Sequence, residues 1–289
     1  MEPRANASAG AGRRLASGRL DLEFAADADA RTYLRRQYAS YPFHVCRAQY
    51  HDDDLPGLAT LYVQSCSGGL YEDDRLNINI VVGDGAETHV STQSATVVHS
   101  MPAGSAEQRI RIECQGRSYL EYLPDPQILF PGSSCRSVIS VRLCGNAVVL
   151  VTDCFLQHDP TGGEGMFTTY FSEIAIENGA GDILAIDRLK VDGRTFQARR
   201  PGTSGSFAAQ GTMLIACLDV VPRTIADAIQ KAGLDLDEAA IGVSQLPKST
   251  GMIVRVLAAD GAALKRTMLM VWCAVRVALK GKLPIERRK

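Results

Sequence analysis

The feature that most constrains how this chain can fold is a phrase that recurs along it: alternating apolar and polar residues, a glycine-bearing turn, then another alternating stretch. Leu76, Ile78, Ile80 and Val82 share one face ahead of Gly83-Asp84-Gly85, and Ile110, Ile112 and Cys114 share one ahead of Gln115-Gly116-Arg117. Ile139, Val141 and Leu143 precede Gly145-Asn146, and Ile174 and Ile176 precede Asn178-Gly179-Ala180-Gly181. A period of two marks a strand with one buried face. Turns returning every roughly 30 to 35 residues are what stacked units give, each completing its core on its neighbour. The expected fold class is therefore mainly β, with layered, β-helix-like stacked sheets. A sandwich of short strands with regular turns would show much the same pattern.

Composition narrows the partners. With 46% hydrophobic and 22% charged residues in 289, the chain has the make-up of a folded protein. A formal net charge of −1 gives no overall field to gather nucleic acid or an anionic membrane, so neither is expected as a partner. The eight cysteines are scattered singly, without a Cys-x-x-Cys pair, and read as thiols within apolar runs. The N-terminus lacks an apolar secretory core, and the apolar run from Met268 to Leu279 is short and interrupted by Arg276, against about 20 residues for a membrane span. The reading is a soluble, cytoplasmic protein.

Taken in order, residues 1–17 form a small-residue tail with Arg4, Arg13 and Arg14. Gly18 opens a strand in which Leu20, Leu22 and Phe24 face inward. Arg31 to Tyr41 reads as a connection whose arginines form a solvated face. Extended segments follow from Pro42 and from Leu58 to Gln64, separated by His51-Asp52-Asp53-Asp54, a turn that is either an acidic hairpin tip or a divalent-metal ligand set. Asp153 to Phe167 and Thr195 to Ser206 read as two polar, glycine-rich loops, with a strand from Thr212 to Leu218 after the second. The last quarter changes period. A short helix is expected at about 222–232, stopping at Gly233, and a strand at Met252 to Leu257. Asp260 then caps a helix at about 260–280, which carries Leu264, Met268, Val271, Val275 and Leu279 on one stripe. Lys280 to Lys289 reads as a basic tail.

Chemistry is sparse. The chain has no nucleophile elbow, phosphate loop, dinucleotide fingerprint or His-Glu-x-x-His, and its five histidines lack zinc spacing. No catalytic or cofactor-binding residue is expected. What remains is a series of acids at loops and strand ends: Asp74, Glu121, Asp125, Asp153 and Glu164 among them.

Three blocks in fixed order carry a resemblance. They are Ser67-Gly68-Gly69-Leu70 through Asp74-Arg75-Leu76; Ser91-Thr92-Gln93-Ser94-Ala95-Thr96; and Leu120-Glu121-Tyr122-Leu123-Pro124-Asp125-Pro126 with Ile128-Leu129-Phe130-Pro131-Gly132-Ser133. Together with Leu246-Pro247, Gly251 and Val254-Arg255 they resemble the urease accessory proteins of the UreD/UreH family, over nearly the whole chain from Gly18 to Pro284. Departures from the family pattern fall at Asp73, at Val97 and at the end, Ile285 to Lys289. The resemblance implies a single UreD-like, β-rich domain over 18–289 with short C-terminal helices. It also implies a non-catalytic role as a maturation chaperone that helps deliver nickel to apo-urease. The implied partners are an accessory protein of the UreF type, a GTPase of the UreG type reached through the complex, and the urease subunits. Nickel(II) would be carried transiently along an internal tunnel, with no permanent cofactor. A transit path calls for weak oxygen ligands in series. On that basis Glu121 and Asp125 are the first candidates for the metal path, followed by Glu164, Asp74 and Asp153. Two other readings stand beside it: a β-helical carbohydrate-active enzyme with two carboxylates across a groove, and a scaffold whose acids touch no metal.

Overall fold

A computed structural model describes residues 17–218, 222–231 and 238–285. The repeated phrase becomes the rungs of a coil. Strands β1 (Ser17–Ala26), β5 (Arg75–Val82), β8 (Ala106–Cys114), β11 (Ser134–Leu143) and β13 (Thr169–Asn178) lie parallel and side by side. Antiparallel edge strands β2 (Thr32–Ala39) and β14 (Ile183–Asp192) close a seven-stranded sheet. In-register pairing stacks the apolar alternation into ladders: Leu20, Ile78, Ile110, Ile139 and Ile174 form one, and Leu22, Ile80, Ile112, Val141 and Ile176 the next. All ten are buried in one cluster. At about 1.5–3 kcal/mol per large apolar side chain, such ladders are the main force holding successive coils together.

After β1 and β13 the chain first turns back into β2 and β14, whereas after β5, β8 and β11 it crosses directly to a second, ten-stranded sheet. Its parallel centre is β4 (Ala59–Ser65), β6 (Glu87–Thr92), β9 (Tyr119–Tyr122) and β12 (Val148–Gln157). Antiparallel strands flank it, β3 (Phe43–Val45) on one side and β15 (Ala209–Ala216), β17 (Gly251–Ala258) and β16 (Ala239–Gln245) on the other. The remaining two of its ten strands, β7 (Thr96–Val98) and β10 (Gln127–Leu129), make a short side face: they pair in parallel with each other, β10 also pairing with the end of β12. The expectation of stacked, coiled sheets is met. The turns stack as well: Gly116 holds φ +57°, and a Cβ there would stand 2.0 Å from Asp84 Oδ1, which accepts a hydrogen bond from the Arg117 backbone N–H at 2.7 Å. A glycine is needed there both for the left-handed backbone and for the close approach of the turn below.

The outer face of the ten-stranded sheet carries α2 (Pro222–Lys231) and α3 (Gly261–Lys280), over a second apolar cluster. Asp260 caps α3 as expected, accepting from the Ala263 N–H at 2.8 Å, and Gly281 ends it in the left-handed region. Leu264, Met268, Val271 and Val275 are buried, and Leu279 partly so. A third cluster packs Phe155, Phe167, Tyr170 and Phe196 under the short face.

Several expectations are corrected. Arg31 to Tyr41 is largely strand β2, and Ser17, assigned to the tail, already belongs to β1. Strand β2 is an edge with only Thr32 buried, so it never shows the alternation that a half-buried strand must have. Its Arg35 and Arg36, and Arg31 just before it, are exposed as expected. Asp153 does not open a loop, because β12 runs on to Gln157 through pairing with β10 and β15. The stretch from Thr195 begins inside a short helix, α1 (Gly193–Gln197), capped by Asp192. The acidic tip at 52–54 has only Asp53 and Asp54 exposed, since Asp52 is buried. The remainder of the tail, residues 1–16, together with the stop at Gly233 and residues 286–289, lies outside the described residues.

Candidate metal passage

A buried β-sheet normally leaves no space between its strands, and here the ladder is interrupted. Strand β9 pairs with Val148–Val151 of β12, and β10 pairs with Phe155–Gln157, so Thr152 to Cys154 have no ladder partner on that side. The intervening segment is Leu123-Pro124-Asp125-Pro126. Its two prolines have no N–H to give, and proline in mid-sheet removes a ladder bond. The Asp125 N–H is instead satisfied by Thr92 Oγ1 at 2.8 Å.

Two cavities meet at this gap. One, of about 230 Å³, lies between the two sheets and reaches the surface where Gly68, Gln93 and Ser94 are exposed. The other, of about 300 Å³, lies across the ten-stranded sheet beneath α3, against Met213, Met268 and Trp272. Pro124, Asp125, Thr152 and Cys154 line both. The first is rich in oxygen: Ser91, Thr96, Gln108, Gln127 and Ser137 face it, and so does Asp153.

The five acids singled out from the sequence fall in different surroundings. Asp125, half-buried, and Asp153, 8% exposed, face the same cavity. Asp153 accepts from Tyr170 Oη at 2.6 Å and from Ser172 Oγ, and no cationic side chain pairs with it among the described residues. Burial pushes its carboxyl above the ordinary aspartate value, outweighing the hydroxyl donors of Ser172, Tyr170 and Ser137. Asp74 is buried in the turn before β5, where its side chain accepts from the Tyr71 N–H at 2.8 Å. Glu164 is exposed on the loop between β12 and β13.

Glu121 stands on the opposite face of the ten-stranded sheet from Asp153, fully buried under α3. Its Oε1 accepts from Tyr119 Oη at 2.7 Å, Trp272 Nε1 at 2.8 Å and Arg276 Nε at 2.6 Å. Its Oε2 accepts from Arg276 Nη2 and from His89 Nδ1, at 2.7 and 2.8 Å. Arg276 turns its remaining Nη1 to Asp52 Oδ2 at 2.7 Å. Burial alone would raise the Glu121 carboxyl, yet the bidentate guanidinium and His89 hold it well below the ordinary range. The same pairing keeps Arg276 charged against its own desolvation. A carboxylate offers about four lone-pair sites, and five donors fill those of Glu121, so a metal ion reaching it has to displace one or more of them. Sequence reasoning missed Arg276, Trp272 and His89. The available signal was a lone arginine within an apolar helical run, one turn from the chain's single tryptophan.

The alternative ligand set at His51 to Asp54 does not converge, for His51 Nε2 pairs with Gln49 and Asp52 with Arg276. Among the described residues no three histidine, cysteine or acidic side chains stand so as to hold a metal together. Nor is any described helix long and apolar enough to cross a membrane.

The fold and its interior define a class: a parallel coiled β-protein with helices on one sheet and two cavities that share lining residues at a gap in that sheet. The family model described as UreD urease accessory protein matches residues 16–289. The chain is 38% identical to urease accessory protein UreD 1 of Pseudomonas syringae pv. syringae (strain B728a) over 258 residues, covering 89% of this chain and 90% of that one. It is 34% identical to urease accessory protein UreD 1 of Bradyrhizobium sp. (strain BTAi1) over 290 residues, 99% of each chain. The urease accessory protein UreD of Natronomonas pharaonis shares 32% over 275 residues, 94% of this chain and 91% of the relative. The chain belongs to the UreD urease accessory protein family, an accessory and not a catalytic family.

Proposed function

We propose that this protein acts in the cytoplasm as a non-enzymatic maturation factor of urease that helps pass nickel(II) to the apo-enzyme. It does so in a complex with UreF-type and UreG-type partners and the urease subunits. Family membership supports the urease role. The observation that carries the nickel reading is the meeting of two cavities at a gap in the sheet, with Asp125 at the junction and Asp153 further along. Transit requires ligands that hold a borderline divalent ion weakly and release it, and carboxylate, hydroxyl and amide oxygens spaced along a cavity meet that need where a closed cage would trap the ion. In this reading Asp125 and Asp153 are the principal acids of the path, while Glu164 and Asp74 stand outside it. Glu121 supports the path by fixing α3 over it.

The test is expression beside a urease operon whose own copy of this protein is deleted. The wild-type chain is expected to restore urease activity and nickel content. Asp125→Ala is expected to reduce both several-fold while the partners still co-purify. Failure of the wild-type chain to restore activity would sink the urease role, and full activation by Asp125→Ala in intact complexes would remove Asp125 from the path.

A further inference from the structure

The junction also carries sulfur. Gly211 is the third residue of β15, a strand buried along its whole length. A methyl carbon placed on it would lie 2.9 Å from Met268 Sδ and 3.0 Å from Cys154 Sγ. Leu264 Cδ1 would stand 3.0 Å from the same carbon. Two sulfurs, one from α3 and one from β12, therefore close in on the bare backbone of Gly211 and fill the space a side chain would take. Glycine in a strand interior weakens the strand and marks a site of close approach. Met213 and Met268 line the cavity beneath α3, and Cys154 lines both cavities. Cys154 is 7% exposed, Met268 9% and Met213 1%, so bulk water does not compete for a cation held among them.

We propose that Cys154 and Met268, with Met213 beside them, form a site for a soft, thiophilic monovalent cation, copper(I) being the biological member of that class. A thiolate and thioethers select soft ions, and they reject hard ones that the oxygen-lined cavity would admit. The cation replaces the Cys154 thiol proton, which leaves to solvent, and no oxidation is involved. The cavity beneath α3 supplies the entry route. This inference does not depend on nickel transit.

The test is titration of the purified protein, with its partners if they are needed for solubility, with copper(I) against a chromophoric copper(I) chelator. X-ray absorption at the copper edge then reports the ligands. The wild-type protein is expected to hold one equivalent in an all-sulfur environment. Met268→Leu keeps every cysteine and nearly conserves volume, and is expected to weaken that equivalent at least tenfold. Gly211→Ala, which drives a methyl group against both sulfurs, is expected to do the same, and Met166→Leu at an exposed methionine is expected to change nothing. Nickel(II) is expected to bind there at least tenfold more weakly than copper(I). Copper retained by Met268→Leu but lost on Cys66→Ser, the exposed thiol, would overturn the site. Nickel binding equal to or tighter than copper would overturn its assignment to soft ions.

Discussion

Arg276 is the one charge in the apolar run from Met268 to Leu279, and it is 1% exposed. Its guanidinium answers two buried carboxylates, Glu121 and Asp52, and ties the helix to β9 and to the turn before β4. Removing one member of a buried ion pair leaves the other charge desolvated and uncompensated, at a cost of about 3–5 kcal/mol. Arg276→Ala is therefore expected to lower unfolding stability by that amount in urea titrations, and the double variant Arg276→Met with Glu121→Gln to recover part of it. No recovery would mean that the charges are not what couples the helix to the sheet. Two carboxyls give opposite pH slopes. The Glu121 value is depressed by folding, so its contribution is complete above the ordinary glutamate value of 4.5 and fades as pH falls. The Asp153 value is raised by folding, so the folded state loses stability as pH rises through and above the ordinary aspartate value of 3.8. Asp153→Asn, which cannot ionise, should match the wild type in acid and exceed it at pH 7. A wild-type protein more stable than this variant at pH 7 would contradict the sign.

At the scale of elements, the coil is held by stacked ladders and stacked turns, and both depend on register. Shifting a strand by one residue would turn Ile110 and Ile112 outward. The turn stack is the sensitive place, because Gly116 meets Asp84 of the preceding turn with no room for a methyl group. Gly116→Ala adds a left-handed backbone penalty to that collision, and a loss of at least about 1–2 kcal/mol is expected in thermal or chemical melts. Substituting Gly162, at φ +73° with open space around it, should cost only the backbone part. Equal losses at the two sites would show that turn stacking contributes nothing.

On the scale of the whole molecule, the face of α3 turned away from the sheet is unusual. Leu269 and Val277 are each 42% exposed and Leu283 is 61% exposed, beside a groove between α2 and α3 of about 730 Å³. Contiguous exposed apolar surface of this kind promotes association. Expressed alone, the protein is expected to self-associate in sedimentation velocity runs, and Leu269→Gln with Val277→Gln to shift it toward monomer. An unchanged distribution would place the cause elsewhere. Nothing in the formal net charge of −1 opposes such association.

The coil's rungs were legible in the sequence because period-two alternation and glycine turns are local consequences of a strand with one buried face. Leu20 through Phe24 and Ile78 through Val82 announce themselves in that way. Helix α3 was equally legible from Asp260 and its apolar stripe. Strand β2 was not, since an exposed edge is defined by its partner and not by its own pattern. Asp125 was legible as a candidate through its family block, but its position could not be read there. The gap beside it exists because β9 and β10 pair with separated parts of β12, and the prolines forbid the bonds between. Glu121 looked alike in sequence and has a different environment, because Arg276, 155 positions away, fills its lone pairs. Local alternation thus determined which segments became strands and which faces they buried. The meeting of cavities, the charge pairing and the convergence of Cys154 with Met268 arise between residues far apart in the chain, and only the tertiary packing decided them.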